Sequence, residues 1–207
     1  VEIVASEVTR RDLESRGIPR VKRALSDANQ KVEMLRADVA KASEAEKKEL
    51  QGKLRQAEAD LTEQKAIQPV LPTRTFDHGM TLHQKARTIE FICVGAAHSA
   101  SDVVAYLPKE KVIITGDLLH GWTPYMGDST PFDWIRALDR VEKLDFDTII
   151  GGHGDVMRGK GQFEMWKQYL GDLMAEATQA YVQGATLDEA RKRIATTLQA
   201  KYGAKMP

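Results

Sequence analysis

The sequence has 207 residues, which is enough to bury a core and to form one or two domains. Hydrophobic residues make up 42% of the chain and charged residues 29%, and 30 basic residues balance 30 acidic ones. This neutral balance excludes a global field that would attract nucleic acid or an anionic membrane, so we expect neither partner. No apolar run approaches the roughly 20 residues that cross a bilayer, and a single cysteine excludes an internal disulfide.

The first 20 residues predict a short strand and a short helix. Residues 1–5 are strand-like, and residues 6–17 have a helical pattern that the sequence Gly17-Ile18-Pro19 is expected to end. Because the chain opens directly with a strand, we expect that sequence belonging to the same domain precedes it.

Residues 21–68 predict a helical hairpin. Gly52 is the only glycine between residues 21 and 65, proline is absent there, and Ala, Glu, Lys, Gln and Leu dominate, which is typical of helices. Two sets of apolar residues at helical spacing flank the polar stretch 43–48, so two antiparallel helices are favoured over one long helix. We interpret this hairpin as a solvated insertion packed on its own domain; the alternative is an arm that binds a partner or a second copy.

Residues 69–207 alternate strand and helix patterns. A proline-containing segment at 67–72 leads into a series of short apolar runs, and the pair Thr130-Pro131 predicts a helix start. Residues 186–189 form a capping box that predicts the start of the last helix. The predicted strands are 74–76, 80–83, 88–94, 103–107, 112–114 and 148–150. The sequence therefore divides into 1–20, 21–68 and 69–207.

Three of these strands end in small residues followed by a side chain that can bind metal. His98 lies in Gly95-Ala96-Ala97-His98-Ser99, Asp117 in Thr115-Gly116-Asp117, and His153 in Gly151-Gly152-His153-Gly154-Asp155. Because strand ends of one sheet lie side by side, we expect His98, Asp117 and His153 to converge. Imidazole and carboxylate groups suit a zinc-like ion, so the pattern predicts a metal site.

The same residues, in this order and with these flanking sequences, resemble the metallo-β-lactamase superfamily of zinc hydrolases. The resemblance is carried by residues 95–98, 102–108, 111–117, 124–128 and 152–154, and by the helix that begins at Pro131. It implies an α/β fold of the αββα type, a sandwich of two mixed sheets with helices on the outer faces. In this chain that fold is expected to be incomplete at its N-terminus and to carry the helical hairpin as an insertion.

The resemblance also implies roles. His98 matches the histidine that completes the ligand set of the first metal, Asp117 the carboxylate that touches both metals, and His153 the histidine of the second metal. Asp117 is accordingly the expected catalytic residue. The implied activity is hydrolysis of an ester, thioester, lactam or similar bond in a small-molecule substrate by a metal-activated hydroxide.

The family's signature motif, H-x-H-x-D-H, is absent from this chain. In the family it supplies two ligands to each metal and precedes the first strand seen here. We therefore expect two zinc ions in the complete family site and weak or partial binding in this chain. Three hypotheses follow: the C-terminal part of a hydrolase, a non-catalytic homologue that uses the hairpin to bind a partner, or one chain of a two-chain enzyme.

Other residues near the predicted site are assigned from their position. His120, Trp122 and Tyr125 lie in the loop after Asp117 and are expected to bind substrate, although a core or loop role is the alternative for each. Asp102 is expected to cap or orient the loop that carries His98. Of the remaining candidate ligands, His78 is interpreted as a turn residue, His83 as an exposed strand residue and Cys93 as a small core residue.

Half a sandwich would leave one face of its sheet open. We therefore expect this chain to form a homodimer or aggregate, or to need a missing N-terminal segment. The sequence does not distinguish a cytoplasmic protein from a periplasmic or secreted one.

Overall fold

The computed structural model describes residues 1–119 and 125–203 as a mixed α/β chain. The strands are β1 (Val4–Ser6), β2 (Arg74–Phe76), β3 (Gly79–Gln84), β4 (Arg87–Gly95), β5 (Asp102–Leu107), β6 (Val112–Gly116), β7 (Thr148–Gly151) and β8 (Met157–Arg158). The helices are α1 (Glu7–Asp12), α2 (Ile18–Lys41), α3 (Glu44–Ala66), α4 (Pro131–Val141), α5 (Gly161–Val182) and α6 (Leu187–Tyr202). None of the described helices is both long and apolar enough to cross a membrane.

The chain forms two compact units. The hairpin unit comprises Val1–Ala5 and Thr9–Thr75, and the sheet unit comprises Ser6–Val8 and Phe76–Pro207. The sequence-based division into 1–20, 21–68 and 69–207 stays a prediction.

The hairpin unit is built around helices α2 and α3. The chain reverses at Ala42 and Ser43, and Ser43 begins α3 with a capping box in which the Glu46 carboxylate accepts hydrogen bonds from the Ser43 backbone N–H (3.1 Å) and hydroxyl (2.6 Å). A small apolar cluster holds the helices together, with Val32 of α2 buried against Ala57 and Leu61 of α3. The predicted hairpin is therefore confirmed, and the single long helix is excluded.

The predicted helix break at Gly17-Ile18-Pro19 is wrong. Helix α1 passes through a π-helical turn at Leu13–Gly17 directly into α2. Gly17 has an ordinary helical φ of −61°, and Pro19 lies in the first turn of α2. Proline is tolerated there because the first backbone N–H groups of a helix have no partner within the helix.

The sheet unit contains a six-stranded sheet with the order β3-β4-β5-β6-β7-β8. Neighbouring strands are antiparallel except β6 and β7, which are parallel and are connected through α4. The short strand β8 was not predicted, because two residues give no alternating pattern to detect. Strands β4, β6 and β7 consequently run in the same direction and end at the same edge of the sheet.

Helices pack on one face of this sheet. Helix α4 has apolar residues at one-turn spacing, and its Trp134, Leu138 and Val141 are buried in the same core as Phe163 and Trp166 of α5. Strand residues that face this core are buried, as Val104, Ile113 and Ile149 show. The helix start at Thr130-Pro131 and the capping box of α6 at Thr186 and Glu189 are confirmed.

Candidate metal centre

Asp117 and His153 follow the ends of the two parallel strands. Gly116 of β6 is paired with Gly151 of β7, and the Gly152 backbone N–H donates a 2.8 Å hydrogen bond to the Gly116 carbonyl. Gly116 has a φ of +54°, a conformation that favours glycine and turns the chain out of the strand. Leu118 and Leu119, both fully buried, anchor the loop immediately after Asp117. The parallel pairing therefore places Asp117 and His153 together.

The two side chains lie at a spacing that suits a shared metal ion. His153 Nε2 is 3.4 Å from Asp117 Oδ1, which is longer than the usual hydrogen bond of about 2.7–3.2 Å. Two donors, each about 2.1 Å from a tetrahedral zinc ion, would be about 3.4 Å apart. The His153 side chain is 54% exposed and the Asp117 side chain 34%, so solvent reaches both. Donor chemistry and spacing both fit two adjacent ligands of one ion.

Gly152 makes room for the Asp117 carboxylate. A Cβ atom at position 152 would overlap Asp117 Oδ1 and would come within 2.9 Å of the Asp117 backbone nitrogen. The Asp117 side chain thus occupies the space that any other residue at 152 would fill. This close approach is the physical reason for glycine between β7 and His153.

His98 lies in a loop that is fixed by several polar contacts. The loop begins at Gly95, which has a φ of +94° and follows an irregularity in the pairing of β4 with β5. The Thr130 backbone N–H donates to the Ala97 carbonyl (2.8 Å), and Asp102 Oδ2 accepts from the Ser99 backbone N–H (2.9 Å). Asp102 therefore supports the loop, as its position in the sequence predicts. Burial of Asp102 raises the pKa of its carboxyl group above the usual value, although hydrogen bonds with Ser99 oppose this shift.

Arg140 fixes the strand end from which this loop departs. The guanidinium Nη1–H of this α4 residue donates a 2.9 Å hydrogen bond to the Val94 carbonyl. A Cβ atom at Gly95 would lie 3.4 Å from the same nitrogen, which is an ordinary contact distance, so the positive φ of Gly95 is what favours glycine there. Helix α4 therefore helps to set the start of the His98 loop.

Trp134 connects the His98 loop with the Asp117 loop. Its ring meets the His98 ring edge-on with the centroids 5.5 Å apart, and its Nε1–H donates to the Leu118 carbonyl at 3.0 Å. Trp134 is fully buried. The sequence predicts this tryptophan only as part of an apolar helix face. The signal for its second role is the indole N–H, which usually needs an acceptor when it is buried.

The structure brings Asp117 and His153 together but does not bring His98 into one metal-binding group with them. Within residues 1–119 and 125–203, no cluster of three or more His, Cys, Asp or Glu side chains is arranged to hold an ion. Strand β5 separates β4 from β6, which places their ends about 10 Å apart. The assignment of His98, Asp117 and His153 as metal ligands stays a prediction.

The remaining candidates are only partly described. His120 and Trp122 lie outside the described residues, and Tyr125 is 70% exposed, so a substrate-binding role for all three stays a prediction. His78 and His83 are exposed, as expected for turn and strand residues. Cys93 is half-buried, with its sulfur 3.4 Å from the Ser101 hydroxyl.

Comparison with known proteins identifies related sequences and structures. The family model described as the metallo-beta-lactamase superfamily matches residues 25–153, which is more than half of the chain. A metallo-beta-lactamase from Pontibacter korlensis is 21% identical, with a TM-score of 0.45 and a match that covers 49% of each chain. The DIM-1 metallo-beta-lactamase is 22% identical, with a TM-score of 0.41 and coverage of 55% of this chain and 53% of that one.

A third match is DIM-1 exposed to ceftazidime, also 22% identical with a TM-score of 0.41, covering 55% of this chain and 52% of that one. The chain therefore spans about half the length of the solved structures it matches.

Proposed function

Because the chain belongs to the metallo-β-lactamase superfamily, we propose that it carries part of the metal site of a metal-dependent hydrolase. The mixed α/β fold that the resemblance implies is confirmed, since the chain contains both helices and a mixed sheet and belongs to this family. The observation that carries the functional proposal is the pairing of Asp117 with His153 at 3.4 Å, beside a glycine whose missing side chain leaves room for the carboxylate.

Asp117 and His153 would hold zinc as adjacent ligands, and His98 would serve a second ion. A catalytic zinc site normally has three protein ligands and an open position for water. Asp117 and His153 supply two of these three donors, so we expect them to bind zinc more weakly than a complete site would. When bound, such an ion lowers the pKa of a coordinated water and polarises the oxygen of the bond to be cleaved.

The role of the chain's own residues is to position these donors. The N–H of Gly152 and the buried Leu118 and Leu119 hold the ends of β6 and β7, so Asp117 and His153 need little reorganisation to bind. Their partial exposure leaves an approach for a substrate. The proposed substrate class is a small molecule with a hydrolysable ester, thioester, lactam or similar bond; the fold does not select among these.

Metal titration tests the proposal. Isothermal titration with Zn²⁺, and the visible spectrum of bound Co²⁺, should show binding by the unmodified chain. Asp117→Ala and His153→Ala should each weaken binding at least about tenfold, because each removes a direct ligand. His83→Ala removes an exposed histidine from β3 and is the matched control, expected to bind like the unmodified chain.

Two results would contradict the proposal. Equal affinity in Asp117→Ala and the unmodified chain would remove Asp117 from the site. Absence of metal binding by the unmodified chain would contradict the proposal. It would agree with a non-catalytic homologue that uses its hairpin to bind a partner, or with one chain of a two-chain enzyme. When the missing metal ligands are also present and the site is complete, Asp117→Ala should abolish hydrolysis.

A further inference from the structure

Thr115 places a hydroxyl group in the interior of the sheet unit. It belongs to β6, is only 3% exposed, and faces the helix-covered side of the sheet together with the fully buried Ile113. Packing alone does not require a hydroxyl at this position, because the branched side chain of valine has nearly the same shape. A buried hydroxyl costs free energy unless it is hydrogen-bonded, so its partners indicate its role.

Three backbone carbonyl groups surround the Thr115 hydroxyl. Its Oγ1 atom is 3.2 Å from the carbonyl oxygen of Gly116, 3.3 Å from that of Leu119 and 3.5 Å from that of Ile150. A hydroxyl has one proton and donates one hydrogen bond at a time. The Gly116 carbonyl already accepts from the backbone N–H groups of Gly152 (2.8 Å) and Leu119 (3.4 Å). The Leu119 carbonyl is therefore the nearest acceptor that these bonds leave open.

The hydrogen bond from Thr115 to Leu119 closes a short loop around Asp117. Asp117 lies midway between these two residues in the sequence. The backbone of Thr115 holds the same loop, since its carbonyl accepts a 3.4 Å hydrogen bond from the Leu118 N–H. Both the side chain and the backbone of Thr115 therefore fix the segment that carries the Asp117 carboxylate.

The same hydroxyl lies beside the strand that leads to His153. Ile150 belongs to β7, precedes His153 by three residues, and is paired with Ile114, the residue before Thr115. Its carbonyl oxygen is the third acceptor near the Thr115 hydroxyl. Thr115 is therefore located between the two chain segments that carry Asp117 and His153.

We infer that Thr115 is a positioning residue for the proposed metal site, and this inference rests on the proposed function. Its hydroxyl holds the Leu119 carbonyl at the ends of β6 and β7, and so maintains the 3.4 Å spacing between Asp117 Oδ1 and His153 Nε2. Because the hydroxyl is directed at backbone carbonyls, Thr115 acts through the two ligands and does not touch the ion. Replacement of residues that orient metal ligands typically weakens metal binding by about 10–100-fold.

Isothermal titration of the full chain with Zn²⁺ tests this inference. Thr115→Val keeps the branched shape but loses the hydroxyl, and should weaken binding at least about tenfold. Thr115→Ser keeps the hydroxyl and should bind like the unmodified chain. Thr115→Ala and Thr115→Ser differ by the oxygen atom alone, so this pair repeats the comparison if valine disturbs folding. Circular dichroism spectra and melting temperatures show whether each variant is folded before its affinity is interpreted.

Thr148→Val is the matched control. Thr148 is also a buried threonine, 6% exposed, and it begins β7 at the end of the strand opposite to His153. Its hydroxyl donates to Asp147 Oδ1 (2.9 Å) and accepts from Arg158 Nη1 (2.7 Å). The variant therefore loses hydrogen bonds in the same sheet and should have a lower melting temperature, with unchanged Zn²⁺ affinity. The comparison separates a general loss of stability from a loss of positioning.

Amide hydrogen exchange provides a second measurement that needs no metal. The backbone N–H groups of Leu119 and Gly152 both donate to the Gly116 carbonyl, so their exchange reports local opening beside Asp117. Relative to the amides of α5, Thr115→Val should accelerate both at least about fivefold, as expected from the loss of one hydrogen bond. Thr115→Ser and Thr148→Val should leave this ratio unchanged.

Several outcomes would overturn the inference. One is unchanged Zn²⁺ affinity or unchanged exchange in Thr115→Val. An equal loss of affinity in Thr115→Ser would assign the effect to the methyl group, and an equal loss in Thr148→Val would assign it to stability. If the unmodified chain binds no Zn²⁺, the proposed function fails, whereas the exchange rates still decide whether the Thr115 hydroxyl holds the loop. The two failures are therefore distinguishable.

Discussion

Trp134 and Leu118 are joined by a buried hydrogen bond between the indole Nε1–H and the Leu118 carbonyl, 3.0 Å in length. The bond fixes the backbone immediately after Asp117 from helix α4. Since the same indole ring contacts His98, one residue of the core supports two of the three predicted metal ligands. Residues that orient metal ligands commonly change metal affinity when they are replaced.

Trp134→Phe should therefore weaken Zn²⁺ binding by about tenfold and lower the free energy of unfolding by about 1–3 kcal/mol, because the Leu118 carbonyl loses its donor. Isothermal titration and urea unfolding measure the two effects. Trp166→Phe is the matched control: Trp166 is also fully buried, with its ring centroid 5.2 Å from that of Trp134. It should lose stability with little change in metal affinity. Equal losses of affinity in the two variants would argue against a specific role for Trp134.

Gly152→Ala should displace the Asp117 carboxylate, because the new methyl group would occupy its position. We expect at least a tenfold loss of Zn²⁺ affinity and a loss of about 1–3 kcal/mol in the free energy of unfolding. Gly171→Ala is the control, since a Cβ atom at this position in α5 meets no atom within 4 Å. Alanine there should stabilise the protein by about 0.5–1 kcal/mol. A Gly152→Ala variant with unchanged metal affinity would show that the carboxylate does not need this space.

Asp172→Asn should reveal a pH-dependent contribution to the packing of α5 against α6. Burial by itself raises the pKa of Asp172, but hydrogen bonds from Lys201 Nζ (2.5 Å) and Tyr202 Oη (2.6 Å) hold it below its usual value. A carboxyl group whose pKa is lower in the folded state stabilises the protein above the pKa of the unfolded state, near 4. This stabilisation is lost as the pH falls through the folded-state pKa.

The unmodified chain should therefore be more stable than Asp172→Asn at pH 7, and the difference should shrink at pH 3. Urea unfolding at both values measures it. Asp188→Asn, in the first turn of α6, is a control outside the Lys201 and Tyr202 contacts. A difference that stays constant between pH 7 and pH 3 would exclude the Asp172 carboxylate as its source.

Leu61→Ala should destabilise the hairpin unit without changing the metal site. Leu61 is buried with Val32 and Ala57, and truncation of a buried leucine costs about 2–5 kcal/mol. The small size of the cluster places the expected cost at the low end of that range. Because Asp117 and His153 belong to the sheet unit, Zn²⁺ affinity of the folded protein should be unchanged. A parallel loss of affinity would show that the two units are energetically coupled.

Several features of the fold follow from local sequence patterns. The α2–α3 hairpin, the N-terminus of α4 and the capping box of α6 each depend on residues that are close in the chain. The predicted helix break after α1 is wrong because Gly17 and Pro19 are compatible both with a break and with a continuous helix. The continuation of α1 into α2 through a π-helical turn depends on the surrounding chain. Strand β8 has too few residues to produce a pattern.

For the site, the sequence correctly predicts that Asp117 and His153 follow neighbouring strands, because each follows an apolar run and a glycine. The distance between His98 and the Asp117–His153 pair depends on the strand order, because β5 lies between β4 and β6. The contact of Trp134 with both loops depends on how α4 packs on the sheet. Neither feature has a local signature.

The parallel arrangement of β6 and β7 also has a consequence for folding kinetics. Parallel strands can pair only after the crossover between them, which includes α4, has closed, and such non-local contacts form slowly. We therefore expect the Asp117–His153 pair to be assembled late during folding. A bound cation would consequently act mainly by lengthening the lifetime of the native chain, with little acceleration of its formation.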